Sequence, residues 1–417
     1  MMGDPADIST LPPSRRSHGT HGPHREGNMP AIPRFKLHDI HLATYGFSSQ
    51  FLVANAALSQ MFLAKLSDET PVFVKKSWPG DRFWDAQLAL ENERGILSSC
   101  KGTYLLNLVG VSDDAPERVL LLEHATRGNL FEALHCEACN PIGWPGRIRM
   151  AHHIAVALRG LHGARSQIVH RDVKSANIWI TDDWSAKLGG FESALKFSRA
   201  SRTSLTKCPR RAMASIDPDY QAAEHLCAKT DVFCFGVLLL EIVSGRKAVD
   251  VNHHPPFVVD WAVPLIHQNK VNLLCDPRIR PPFQNSKAVL DMARVGMRCV
   301  NRVSSRRPTM TDVAEELKML SLKVPVFEQK SCRKELDWFS ISSIRPKVAN
   351  GPLDTAEKGH TGFVETRQES GFRCKRPSMM FGMIAPQNFP SRSFLGVLED
   401  AIDRKQREPH LPPHLKT

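Results

Sequence analysis

An α+β chain in two unequal lobes is what this sequence predicts: a small β-rich region, then a larger helical one. Two observations carry that expectation. Between about 39 and 123, short apolar runs such as Val72-Phe73-Val74 and Val119-Leu120-Leu121-Leu122 alternate with turn residues, the signature of buried strands. From 124 to about 322 helical spacing dominates, as in Ile148 to Leu161, Asp231 to Val243 and Ala288 to Val300. A single stretch of the strand-rich region, Phe83 to Leu97, has helical spacing of its own.

With 417 residues, 42% hydrophobic and 24% charged, the chain has enough apolar material for one large two-lobed domain with flexible ends. The formal charge of +12 raises the question of an anionic partner. No block reads as a zinc finger, an RNA-recognition sheet or a basic zipper, so nucleic acid is not the expected partner. The ten cysteines are scattered, and only Cys136 and Cys139 form a C-x-x-C. A structural zinc site needs a second ligand pair, so these read as loop thiols in a reducing compartment. The most apolar run, Val232 to Val243, contains Glu241 and is too short to span a bilayer; it reads as a buried helix. Met2-Gly3 would suit myristoylation only with Ser or Thr where Asp7 stands.

Residues 1–38 are rich in Pro, Gly, Ser and His and are expected to form a disordered tail. The main domain is expected over 39–322, divided at 123/124. Beyond 322 the composition drifts to Ser, Pro, Gly, Lys and Arg, predicting a basic, mostly disordered tail. Its exception is 394–407, where Phe394, Leu395, Val397, Leu398, Ala401 and Ile402 repeat at helical spacing after Ser393, a fitting cap. That helix would either meet a partner or fold back on the domain.

A series of short signals then falls in a fixed order: Ala43-Thr44-Tyr45-Gly46-Phe47-Ser48, Trp144 with Arg147, His170-Arg171-Asp172, Asp231-Val232-Phe233-Cys234-Phe235-Gly236, Val259-Asp260-Trp261-Ala262, Asp276-Pro277-Arg278 and Arg307-Pro308-Thr309-Met310. Over 43–320 the chain resembles the kinase domain of plant receptor-like serine/threonine kinases, relatives of the Pelle and interleukin-receptor-associated kinases. The resemblance implies the bilobal protein-kinase fold, with ATP held between the lobes. Phosphoryl transfer asks the protein to hold phosphates, to neutralise charge with magnesium and to aim a hydroxyl. Lys75 matches the strand lysine that grips phosphate, with Lys76 as the register alternative, and Glu93 matches its helix partner. Leu122, Glu123 and Ala125 match the hinge that meets adenine. Asp172 matches the base, Lys174 the lysine that steadies the γ-phosphate, and Asn177 a magnesium ligand. Arg171 is placed to pair with phosphate on the activation segment.

Three places depart from the family pattern. Ala54, Ala56 and Ser59 stand where the phosphate loop carries glycines, whose freedom lets backbone amides approach an anion. Gly190-Phe191-Glu192 replaces Asp-Phe-Gly, so the main metal carboxylate is missing; Glu192 offers a surrogate, while Asp182 and Asp183 sit at a turn out of reach. Arg211-Ala212 stands where Gly-Thr is usual, and Asp219 replaces a glutamate expected to pair with Arg307. The segment from Lys196 to Arg211 is basic and acid-free, with Ser198, Ser201, Thr203, Ser204 and Thr206 as candidate phosphorylation sites. These features predict a pseudokinase: a kinase-shaped signalling protein that binds ATP weakly, without a set need for magnesium, and acts as a scaffold or allosteric partner of receptor-like kinases or other signalling proteins. The alternative is an active serine/threonine kinase. Either is expected in the cytoplasm, reaching the membrane only through a partner.

Overall fold

The computed structural model describes residues 32–78, 83–114, 117–137, 140–164, 166–197, 217–219, 227–279 and 286–324. The first lobe is an antiparallel sheet of β1 (Leu52–Asn55), β2 (Ser59–Lys65), β3 (Pro71–Ser77), β4 (Leu108–Ser112) and β5 (Val119–Glu123), in the order β1-β2-β3-β5-β4. Two helices flank it, α1 (Leu37–Ala43) and α2 (Phe83–Ser99).

Alternation along the strands decides what each face does. Phe62, Ala64, Val72, Val74, Val119 and Leu121 turn to the outer face, where Ile40 of α1 covers them. Met61, Phe73, Leu120 and Leu122 turn the other way and join the core shared with α2 and the second lobe. The same alternation separates the two adjacent lysines. Lys75 points inward and is 4% exposed. Lys76 points outward, pairs with Glu117 at 3.2 Å and lies 4.1 Å over the Phe47 ring.

The ordered lobe begins earlier than position 39. Phe35 N donates to Val111 O at 2.9 Å, and Arg34 bridges to Val111. Gly110 makes room for this segment, because a Cβ there would lie 2.3 Å from the Phe35 ring. Residues 32–38 therefore belong to the domain, contrary to the expectation of a tail; composition favoured disorder, but one aromatic anchored the segment. The expected helix over 394–407, the candidate phosphorylation sites Ser198, Ser201, Thr203, Ser204 and Thr206, and Arg211-Ala212 lie outside the described residues.

The second lobe is helical: α3 (Leu130–His135), α4 (Trp144–Gly163), α5 (Ala228–Ser244), α6 (Val258–His267), α7 (Val271–Leu274), α8 (Ser286–Cys299) and α9 (Met310–Lys323). The apolar run read as a buried helix is α5, inaccessible all round from Thr230 to Ser244. It ends at Gly245 in the left-handed conformation, and α9 begins with a reciprocal Thr309/Asp312 capping box. Short strands line the cleft side of this lobe: β6 (Ile168–Val169) pairs with β9 (Leu195–Lys196), and β7 (Ile178–Ile180) with β8 (Ala186–Leu188). The signal residues gathered from the sequence are mostly internal ties here. Arg147 donates to Ile142 O at 2.8 Å and pairs with Asp276 at 2.6 Å, and Asp276 also holds Arg278 at 2.8 Å.

Where the sequence reading pairs Arg307 with Asp219, the structure gives it Asp217, through two bonds of 2.6 Å. Asp219 accepts from the Ser304 amide at 3.0 Å instead. Aspartate is a methylene shorter than glutamate, and Asp217 two residues earlier meets the guanidinium fork end-on, through Nη1 and Nη2. None of the described helices is long and apolar enough to cross a membrane.

One buried group makes the fold acid-sensitive. His153 of α4 stacks on Tyr104 at 4.1 Å, and its Nδ1 accepts from the Ala186 amide at 3.3 Å. Burial, reinforced by His152 and Arg149, pushes its pKa down to about 4. The unfolded chain then binds a proton below about pH 6.5 that the folded one refuses, so stability falls between about 6.5 and 4 by up to roughly 3 kcal/mol. Urea denaturation at pH 7.5 and pH 5 is expected to show this loss, and His153→Gln, neutral throughout, to remove some of it.

Candidate functional site

The cleft between the lobes is built around Lys75. The β3 backbone fixes it opposite Met61 and Leu120, and α2 brings Glu93 to it from the side. Lys75 Nζ lies 2.5 Å from Glu93 and 2.9 Å from Glu192. Burial alone would depress the Lys75 pKa; the Glu192 and Glu93 carboxylates overcome it and hold the ammonium above its usual range. At Glu192 burial works against charge too, yet Lys75 and the Ser59 hydroxyl hold its carboxyl below the ordinary value. At Glu93 burial wins over Lys75 and raises the pKa.

Glu192 therefore pairs with the lysine that the sequence reading assigned to phosphate. Its Oε1 also accepts a hydrogen bond from Ser59, the residue in the third glycine position of the β1–β2 loop. The Glu192 carboxylate is thus held by a lysine and a loop hydroxyl. It also brings a second negative charge to one buried cation.

The segment bearing Glu192 is clamped by a residue that sequence reasoning passed over. Asn92, next to Glu93 on α2, donates to Phe191 O at 3.3 Å, Glu192 O at 3.1 Å and Ala194 O at 2.8 Å. Glu93 Oε1 accepts from the Phe191 amide at 3.1 Å. Phe191 itself is fully buried, 4.6 Å from the His170 ring.

The loop after β6 carries the remaining residues. Asp231 of α5 accepts from the His170 amide at 2.8 Å and the Arg171 amide at 2.7 Å, which pins the loop from below. His170 Nδ1 accepts from the Asp172 amide at 3.3 Å, so its Nε2–H donates to Gly189 O at 3.0 Å. Burial lowers the His170 pKa, in keeping with that neutral tautomer. Lys174 Nζ lies 2.7 Å from Asp172 Oδ2. Asn177 Nδ2 donates to Asp172 O at 2.8 Å and to its carboxylate at 3.0 Å. Asp172, Lys174 and Asn177 thus stand together. Arg171 is 2% exposed; Nη1 donates to Ser193 O at 3.0 Å, while Nε and Nη2 have no hydrogen-bond partner among the described residues.

Gly190 is left-handed, at φ 78° and ψ 52°. A Cβ there would lie 2.5–2.7 Å from the Asn177 side-chain amide. The space that a metal-binding carboxylate would enter is already taken by Asn177. Asp182 and Asp183 stay at their turn, accepting from Thr126 at 2.7 Å and Ser185 at 2.8 Å respectively. Among the described residues no cluster of three or more His, Cys, Asp or Glu side chains is arranged to hold a metal ion. Gly190 thus brings no carboxylate to this end of the cleft, where Asn177 and Asp172 supply the oxygen atoms.

At the hinge, Leu122 is buried, and Phe73 pairs with it across the strands. The Glu123 carboxylate turns to Asn107 at 2.7 Å and Lys187 at 2.5 Å. Ala125 is 2% exposed, and its carbonyl accepts from the Gly128 amide. Sequence reasoning also missed Phe73 and Trp179, whose rings meet here at 4.7 Å, with His124 5.0 Å from Phe73. A signal was present: the strand motif of protein kinases reads V-A-I-K, and Phe73 stands at its alanine.

A two-lobed domain with a strand lysine paired to a helix glutamate and an H-R-D loop pinned by a buried aspartate is a protein kinase domain, and the chain belongs to that family. Residues 51–317 match the family profile for protein tyrosine and serine/threonine kinases. Relatives include kinase-like proteins of the plant Arabidopsis thaliana. One serine/threonine-protein kinase-like protein is 35% identical over 302 residues, 71% of this chain and 82% of its own length. A second is 32% identical over 317 residues, 73% and 67% of the two chains. The calmodulin-binding receptor-like cytoplasmic kinase 1 is 30% identical over 287 residues, 68% of this chain and 61% of its own. Kinase domains as a class bind ATP with magnesium.

The shared lysine generates a stability prediction. Lys75→Met leaves Glu93 and Glu192 buried face to face without a cation. The expected loss is about 3–5 kcal/mol by urea denaturation, because an uncompensated buried charge is strongly unfavourable. Adding Glu192→Gln to the same variant should recover a measurable fraction; a loss that the second change leaves untouched would contradict the shared ion pair.

Proposed function

We propose that this chain is a kinase-domain signalling protein that acts by binding protein partners, with phosphoryl transfer lost or residual. The observation that carries this reading is the Gly190 position: no carboxylate is present there, and Asn177 fills the space for one. Removing one preorganised electrostatic group from an active site typically lowers a rate by about 10²–10³. The poor β1–β2 loop, Ala54, Ala56 and Ser59 in place of glycines, supports the same conclusion. The groups that shape the lobes are complete, as the Lys75–Glu93 pair, the Phe191–His170 packing and the Asp231 tie attest. Such a molecule offers partners a stable kinase-like surface. Its partners on this reading are receptor-like kinases or other signalling proteins, met in the cytoplasm. Arg171 and the basic segment after Lys196 make phosphorylation by an upstream kinase a natural control.

A specific observation favours the second reading, an active serine/threonine kinase: Asp172, Lys174 and Asn177 keep the mutual geometry that transfer would use, with Asp172 as base and Lys174 at the γ-phosphate. A single assay separates the two readings. Purified protein is expected to transfer no more phosphate to itself or to a basic protein substrate than Asp172→Asn does. Transfer clearly above that control supports the active kinase. Gly190→Asp is expected not to create activity and to cost about 1–2 kcal/mol, the left-handed penalty of a residue with a Cβ. Its stability is read by denaturation in parallel.

A further inference from the structure

We infer that this chain fills its own nucleotide cleft: the Phe73 and Trp179 rings stand where a base would lie, and the Glu192 carboxylate stands where phosphate would. Two fixed points locate the site. Lys75 marks the phosphate end, and the segment Glu123 to Ala125 marks the hinge. Along β3, Phe73 lies two residues from Lys75 and so on the same face, displaced by about 7 Å. The displacement runs toward the hinge, since Lys75 is opposite Leu120 while Phe73 is opposite Leu122 and Val72 opposite Glu123. The Phe73 ring therefore descends from the roof of the cleft into the interval between phosphate site and hinge.

Trp179 rises from the floor to meet it. It sits on β7 in the second lobe, bridged to Asn129 just after the hinge, and the Arg127 amide donates to Ile180 O beside it. The two ring centroids are 4.7 Å apart, tilted by 51°. Phe73 is 1% exposed and Trp179 3%. A flat base sandwiched between two walls needs a contact spacing of about 3.5 Å on each side, roughly 7 Å in all. The rings leave no such slot. His124, edge-on to Phe73 at 5.0 Å, closes the hinge side. At the other end Lys75, Glu192 and Ser59 satisfy one another.

The consequence is structural. A kinase domain ordinarily draws its lobes together around a ligand; here an aromatic contact and an ion pair, each with one partner in either lobe, do so without one. The inference deepens the proposal that the protein acts by binding, and it rests on that reading for its biological sense, but it can fail alone.

The test is a thermal-shift and fluorescent-nucleotide titration of the full chain with adenosine, ATP and ATP with magnesium, on wild type, Phe73→Ala and Phe73→Ala/Glu192→Gln. Wild type is expected to show no stabilisation by any of the three at about 1 mM. Phe73→Ala should gain saturable stabilisation by adenosine, and the double variant should bind ATP at least about tenfold more tightly than Phe73→Ala does. Where Phe73→Ala lacks the near-ultraviolet signal of a folded protein, Trp179→Leu, which shortens the floor, takes its place. Saturable binding of ATP to wild type overturns the inference, as does a folded opened variant that ignores adenosine. Wild type that binds ATP yet transfers no phosphate overturns this inference and leaves the proposed function standing; wild type that transfers phosphate overturns both.

Discussion

One buried ammonium organises the cleft. Lys75 is held between two carboxylates, Glu93 from the helix of the first lobe and Glu192 from the Gly190-Phe191-Glu192 triplet of the second. A lone charge at that depth would be too costly to keep, and two acids around one lysine leave a net negative charge that must be spread. The structure spreads it through hydrogen bonds: Ser59 and Lys75 on Glu192, and the Phe191 amide on Glu93. The strand register of β3, the inward position of α2 and the seat of Phe191 all follow from satisfying this group.

The consequence for chemistry is an inversion of the usual order of charges. Where phosphate and metal would supply alternating signs, the chain supplies its own acid at the cation. Asp172, Lys174 and Asn177 are satisfied among themselves a short distance away. Gly190 supplies no acid and, because Asn177 stands against it, has little room for one. The same few residues that keep the loops in a kinase-like arrangement thus bind one another across the cleft.

Much of this was legible in the sequence, and the limits are instructive. Strand alternation alone distinguishes Lys75 from Lys76, and the ordered series of short signals implies the two lobes. Gly190 advertises itself because a missing carboxylate is visible in one letter. The direction of the Glu192 side chain was not legible, since a residue in the third position of the triplet turns either way until the Asn92 amide fixes its backbone. Phe73 escaped notice because it strengthens a strand reading: an aromatic in β3 looks like ordinary core until its ring is seen to cross to Trp179 in the other lobe. The Arg307 partner was misassigned for a related reason, two acids lying two residues apart with only geometry to choose between them.

The threefold donation by Asn92 has a mechanical meaning. A helix whose side-chain amide grips three carbonyls of one short segment cannot slide independently of the strip it grips, so α2 and residues 191–194 form a single lever. Leu88, 70% exposed, shares that helix with Asn92. A displacement of that helix carries the Glu192 backbone with it, and so bears on the ion pair to Lys75 at the roof of the cleft.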